Sequence, residues 1–388
     1  MIGFSTARSG SHVRWRVAGL AALTAVTTIA ALVGCSSPST TGTPAASGAS
    51  GTPSYYPADY SKVIATSKKE GGTLTIYSNT DQENWAPILR DFQTKYPWIT
   101  VSADNLDSDE VFQRQLSEMA TGKAPADMLV SNAVQAWSSY ASKPGTVMDY
   151  TSPEMEKLPK FAQLMPGVAA MSLDPVGIAY NTSLMAKTPT SIADLSKAIA
   201  ADPGKYQGKI TTRDVKGAWG FSVSDAFAAK SPNAWSTLGK VLPSARPETS
   251  SGTQKEKILA GEYLAGFFIS SAVGYPAEAQ SGGLLKFVLP KDGTVVLGRG
   301  IGITPKAPHP ATAKLFLDFV LSEAGQNAVA EGGLSSYRDN VKLTEERHTY
   351  QEVEKLAGKD GIIRVPYEVV SESDVNSFVS KWDGMLGK

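Results

Sequence analysis

Residues 71–98, GGTLTIYSNTDQENWAPILRDFQTKYPW, decide how this chain is read. Residues 73–77 combine Leu, Ile and Tyr after the paired glycines Gly71 and Gly72, the composition of a short strand with a punctuated start. Ser78, Asn79, Thr80 and Asp81 follow without a spacer, and then Trp85, Ile88, Leu89 and Phe92 recur at helical spacing. A polar loop therefore leaves the C-terminal end of a strand and feeds a helix N-terminus. Open α/β sheets bind ligands at that place. The first N–H groups of the helix face outward there and favour anions and polar oxygens. An ordinary strand–helix turn capped by Asp81 or Asn79 has the same pattern, so the function rests on what the rest of the chain adds.

The unit repeats. Residues 99–102 read as a second strand and 109–121 as an amphipathic helix carrying Val111, Leu116 and Met119. Residues 127–130 read as a third strand that ends in Ser131 and Asn132, before a helix with Val134, Trp137 and Tyr140. The alternation β–α–β–α–β–α predicts a mainly parallel sheet with crossover helices. It also sets two polar pairs, Ser78-Asn79 and Ser131-Asn132, at the same edge of that sheet.

The chain has 388 residues, enough for two domains, and 37 basic residues balance 37 acidic ones, so no basic field points to nucleic acid. Arg8, Arg14 and Arg16 precede an uncharged, Ala-rich run over 17–33, the pattern of a secretory signal spanning residues 1–35. Its end, Leu32-Val33-Gly34-Cys35, resembles the lipobox of bacterial lipoproteins, which implies that Cys35 becomes an acylated N-terminus held in a membrane. Cys35 is the only cysteine of the sequence and has no intrachain disulfide partner. Residues 36–54, SSPSTTGTPAASGASGTPS, carry no charge and nothing to bury, and read as a flexible tether.

The folded body begins with a lead-in helix over 55–70. After the third βα unit, Asp174-Pro175 reads as a breaker before a strand over 176–180. A second α/β pattern follows: strands at 208–212 and 264–270, and helices at 218–229, from Asn233, and at 254–261. Residues 285–289, 294–297 and 300–303 read as further strands. A strongly amphipathic helix over 311–321 continues through 331, and the tail 340–388 holds more helix with Phe378, Trp382 and Met385 as apolar contacts. The run 249–263, TSSGTQKEKILAGEY, places Ser251, Gly252 and Thr253 just before a helix. Small hydroxyls and free N–H groups there suit a carboxylate, phosphate or sugar hydroxyl, or serve as a plain cap.

Enzymatic alternatives find few residues. The histidines are His12, His309 and His348, and none stands near a G-x-S-x-G serine or a cysteine nucleophile. H-E-x-x-H, cysteine clusters and a Walker loop are absent from the sequence, so no metal or cofactor is expected. A secreted enzyme working through carboxylates alone stays open, although no spacing singles out a pair.

The order of the segments LTIYSNTDQENWAPILRDFQTKYP, PADMLVSN, VGIAYN, SSGTQKEKILAGEY and PHPATAKLFLDFVLSEAGQNAVAEGG resembles the bacterial extracellular solute-binding proteins of ABC importers. The resemblance is to the type II branch with ferric-iron, phosphosugar and thiamine binders. It implies a non-enzymatic, monomeric, two-lobed clamp with a hinge, which hands a small solute to a membrane permease from the cell surface or periplasm. One lobe would comprise 55–175 and 284–388, the other 176–283, with linking strands near 174–181 and 280–288. Matching positions place the ligand at Ser78, Asn79, Asp81, Ser131 and Asn132 on one lobe. On the other they place it at Tyr180, Asn181, Ser251, Gly252, Thr253, Ser270 and Ser271. Ferric-binding members carry a tyrosine pair where this chain has Ser271-Ala272, which disfavours bare ferric ion and favours a polar or anionic organic ligand. A ferric-binding version of the same fold remains the alternative.

Overall fold

The computed structural model describes residues 52–341 and 348–387. The signal segment, Cys35 and the tether up to residue 51 lie outside the described residues. The first half runs α1 (Ser61–Ser67), β1 (Thr73–Ser78), α2 (Gln82–Lys95), β2 (Thr100–Asn105), α3 (Glu110–Ala120), β3 (Met128–Ser131), α4 (Val134–Ala141) and the short β4 (Gln163–Met165). β5 (Val168–Asn181) leads into α5 (Ile192–Ala201), α6 (Pro203–Tyr206), β6 (Ile210–Arg213), α7 (Ala218–Lys230), α8 (Ala234–Val241) and β7 (Ala245–Glu248). Then come α9 (Ser251–Leu259), β8 (Ala265–Ser270), α10 (Ser271–Gln280) and β9 (Leu285–Val288). β10 (Thr294–Ile303), α11 (Pro310–Leu321), α12 (Glu323–Glu331), α13 (Tyr350–Ala357), β11 (Ile362–Arg364) and α14 (Glu372–Leu386) follow.

The strands form one hydrogen-bonded path, β2-β1-β3-β10-β5-β8-β6-β7. β1 is parallel to β2 and β3, and β6 is parallel to β7 and β8, as the βα alternation predicts. β5 and β10 run antiparallel to their neighbours on this path and join the two parallel sets, while β11 pairs with β10 in parallel off the path. The expected break at Asp174-Pro175 is instead the middle of a continuous 14-residue strand. Pro175 stands where β5 changes partner: Pro175 is opposite Val296 of β10, and Val176 is opposite Ser270 of β8. A proline is tolerated there because the ladder is being handed over. The segments 294–297 and 300–303, expected as separate strands, likewise form the single β10. β9, expected as a linking strand, pairs with Ile178–Asn181 beside the second parallel set, so the return between sets is made by β10.

Two large apolar clusters form, one about each parallel set of strands. Trp85, Ile88 and Phe92 of α2 pack with Phe316 and Phe319 of α11 around Leu74 and Ile76 of β1. The second cluster gathers Ile210, Phe227, Leu238 and Phe267, and it includes Phe378, Trp382 and Leu386 of α14. The tail was expected with the first lobe; its last helix packs on the second set, because its apolar stripe meets Phe221 and Phe268. The helix 311–331 breaks at Ser322, whose hydroxyl accepts the Gly325 N–H and caps α12.

Phe268 takes φ +57, a left-handed conformation rare for a bulky residue. It is the extra residue of a bulge: Gly177 pairs with Ile269 and Ile178 with Phe267. Its ring is held by Phe227, Phe267 and Trp382 at centroid distances of 5.4, 5.0 and 6.4 Å. The bulge directs the end of β8, and so the start of α10, toward the site described next.

Candidate functional site

The parallel strands of both sets end at one cleft of about 400 Å³. β1 delivers Asn79 and Asp81, β3 delivers Asn132, and β2 runs into Asn105 and Asp107. From the second set come Arg213 at the end of β6, Ser250 and Ser251 after β7, and Ser270 at the end of β8. This is the ligand position expected of open α/β sheets, met from two sides.

The wall on the first set is a closed polar network. Arg299 of β10 is 2 % exposed and its guanidinium donates to Asp174 Oδ2, Thr80 Oγ1 (2.7 Å) and Asn79 Oδ1 (3.2 Å). Asp174 also accepts from Asn132 Nδ2 (2.9 Å) and the Ser172 hydroxyl (2.8 Å). Asn79 Nδ2 donates to Asn132 Oδ1 at 2.8 Å. Charge and hydrogen-bonding demand are nearly balanced within the protein, and of Arg299 only Nε has no partner.

The wall on the second set is open. Arg213 is 8 % exposed, makes no ion pair among the described residues, and leaves its buried Nε without a partner. Its guanidinium lies 4.5 Å from the ring centroid of Trp219, and one nitrogen reaches Ser251 Oγ at 3.4 Å. Burial pushes Arg213 down to about 10, and Asp107, Asp214 and Asp109 partly oppose the shift. It stays charged at neutral pH, at a cost of roughly 3 kcal/mol. Beside it, the Ser250 hydroxyl caps α9 by accepting the Thr253 N–H at 3.0 Å. The N–H groups of Ser251 and Gly252 have no intrahelical acceptor. The hydroxyls of Ser270 and Ser271, at the start of α10, are buried and unpartnered. A guanidinium and two helix starts thus face one space, an arrangement suited to an anion.

Of the positions read from the sequence, Asn79, Asp81, Asn132, Ser251, Gly252 and Ser270 line the cleft. The others lie off it. Ser78 Oγ accepts from Thr80 N and Trp85 Nε1, and Ser131 Oγ accepts from Ala133 N, so both fix the loops behind the surface. Tyr180 Oη pairs with Thr188 Oγ1. Asn181 donates to Ile258 O and accepts from Ser183 N. Thr253 closes the α9 cap, and Ser271 is buried behind Ser270. Tyr275 is also directed away, its ring stacked on His348 at 3.5 Å. The sequence reading missed Arg213, Arg299 and Trp219. The one available signal was that Arg213 ends a strand, as Ser78 and Ser131 do.

A family model of bacterial extracellular solute-binding proteins matches residues 88–356. The chain belongs to this family. No curated protein matches the sequence. Among solved structures, a substrate-binding protein of an ABC transporter from Agrobacterium tumefaciens is 21 % identical at a TM-score of 0.75, covering 82 % of this chain and 96 % of that one. AfuA of Actinobacillus pleuropneumoniae, solved with fructose 6-phosphate, is 22 % identical at 0.61, covering 81 % and 99 %. Iron-bound HitA of Pseudomonas aeruginosa is 20 % identical at 0.60, with the same coverage. These likenesses show the type II periplasmic-binding-protein fold, and the family is one of solute-binding transport proteins.

Proposed function

We propose that this solute-binding protein is the capture component of an ABC importer and takes a small anionic solute into the cleft between its two sheets. Arg213 carries the reading: it is a buried guanidinium with no carboxylate in ion-pair contact among the described residues, and it lines the cleft beside the start of α9. Burying a charge without a partner is costly, and a bound anion would offset the cost. The AfuA structure, with a sugar phosphate bound, is consistent with this chemistry on the same fold. The chain has Ser271-Ala272 at the positions where the ferric-binding branch carries tyrosines, and neither side chain is a good ligand for a hard cation, so bare ferric ion is the weaker alternative. The solute would touch both walls and so favour a closed arrangement over an open one. Cys35, acylated after signal cleavage, would hold the body at the membrane beside its permease.

The test is thermal unfolding of protein stripped of ligand by partial denaturation, with fructose 6-phosphate and inorganic phosphate as probes. We expect a concentration-dependent rise in Tm that Arg213→Met abolishes. No rise with either probe, or an equal rise in the variant, would place the charge-binding function elsewhere. Cys35→Ser should release the protein into the medium; continued membrane association of that variant would exclude the lipid anchor.

A further inference from the structure

The main cleft does not end at Ser270. A second chamber of about 230 Å³ shares Asp81, Asn84, Ala272 and Val273 with it. Its floor is set by helix periodicity. Ser251, Lys255 and Leu259 recur every fourth residue of α9, so one stripe runs from the anion-facing start of the helix into the second chamber. On α10, Val273, Pro276, Ala277 and Gln280 form the facing stripe.

At the junction between chambers the carbonyl of Ala272 is not left unpaired. Pro276 has no N–H, so the Ala272 carbonyl one turn earlier loses its helical donor. Asn84, at the start of α2, donates to that carbonyl at 3.1 Å and to Gly332 O at 2.6 Å. Asn84 thereby ties the first set to α10.

The two chambers differ in chemistry. The main cleft presents Arg213 and Arg299 among side chains of Ser, Asn, Asp and Glu, and of the two only Arg213 is without an ion pair among the described residues. The second presents Leu259, Val273, Pro276 and Ala277, and its charged residues are Lys255 against Asp81 and Glu83, which leaves no excess of positive charge for a second anion. A free oxyanion or a metal ion would fill the space near Arg213 and leave the second chamber to water.

We propose that the solute has two parts, an anionic head held by Arg213 and the start of α9, and an uncharged, partly apolar body lying along the α9–α10 groove. This rests on the anion reading of the main cleft. It adds a second subsite and sets the solute apart from inorganic anions.

The experiment uses probes with a constant head and a growing body: inorganic phosphate, glycerol 3-phosphate, fructose 6-phosphate and adenosine monophosphate, titrated calorimetrically into the stripped protein. Affinity should rise with the body, to at least about tenfold over inorganic phosphate. Leu259→Trp and Gln280→Trp, which fill the second chamber from different sides, should remove that gain and leave inorganic phosphate binding unchanged. Equal affinity across the series, or a gain that survives both tryptophans, overturns the two-part solute and leaves the anion site standing. If no probe binds, or if Arg213→Met binds inorganic phosphate as the unaltered protein does, the anion reading itself fails and the proposal fails with it.

Discussion

Arg299 is buried beside a carboxylate, and Arg213 is buried beside an indole. Both line the same cleft. The first is held in a network of Asp174, Asn79 and Thr80 that uses its charge within the protein. The second keeps its charge unspent. A buried pair fixes geometry, here the crossing of β5 and β10, and adds little attraction for a ligand because its field is cancelled locally. A buried unpaired cation does the reverse: it costs stability in the empty protein and attracts an anion strongly. On the proposed reading, the two sets of strands divide the work between positioning and recognition.

The sharpest way to break the comparison is Arg299→Met. It strands the Asp174 carboxylate, which is fully buried, and we expect a loss of about 3–5 kcal/mol in denaturant unfolding. A loss below 1 kcal/mol would mean that the pair is not structural. Arg213→Met should behave oppositely. The empty protein should gain about 1–2 kcal/mol because an unpaired buried charge is removed. Anion affinity should fall by about 2–3 kcal/mol, the scale of a charged hydrogen bond. If both variants destabilise alike, the two arginines are not used differently.

A third variant separates the helix start from the guanidinium. A Cβ on Gly252 would meet only the Ser250 hydroxyl, at 3.6 Å. Gly252→Val should therefore leave the unfolding midpoint of the empty protein nearly unchanged. It should weaken anion binding about tenfold, or 1.4 kcal/mol, by crowding the free N–H groups. Unchanged affinity in both Gly252→Val and Asn79→Ala would move the contact away from these walls.

The smallest effect at physiological pH concerns titration. The folded, empty protein holds the Arg213 pKa near 10, below the ordinary value of 12.5. The sign follows from which form is disfavoured. Below about pH 10 the group is charged, the burial cost is present and the anion is attracted. As pH rises through that value, the proton, the cost and the attraction are lost together. Anion affinity, measured by calorimetry with inorganic phosphate, should show no loss assignable to Arg213 between pH 7.5 and 8.5 and an added decline above about pH 10 that Arg213→Met lacks.

Much of this fold was legible because burial leaves a local period. Trp85, Ile88 and Phe92 announce α2, and the βα alternation announces two parallel sets. What escaped depended on partners distant in sequence. Pro175 reads as a breaker until β10 and β8 are seen to exchange places beside it. Residues 271–280 did not read as a helix, since Gly274 and Pro276 are breakers in isolation. In the fold, a Cβ on Gly274 would lie 2.2 Å from the Phe287 ring, and the donor that Pro276 lacks is replaced by Asn84. The site was half legible for a similar reason. Asn79 and Ser251 follow strands and precede helices, a pattern visible along the chain. The importance of Arg213 lies in the lack of a carboxylate in ion-pair contact with it among the described residues, which no local pattern can display.

The strained Phe268 has a consequence for the order in which the protein is made. One of the three rings that hold it, Trp382, belongs to α14 and is fully buried. A chain that leaves the ribosome and crosses a membrane N-terminus first exposes Ser270 and the start of α10 long before that tryptophan follows. Until residues 372–386 have emerged, the left-handed turn at Phe268 lacks part of its counterweight, and the second wall of the cleft has no fixed shape. The wall that carries Arg213 is therefore finished late, after the helices of the first wall have emerged. Capture becomes a property of the completed chain rather than of a growing one.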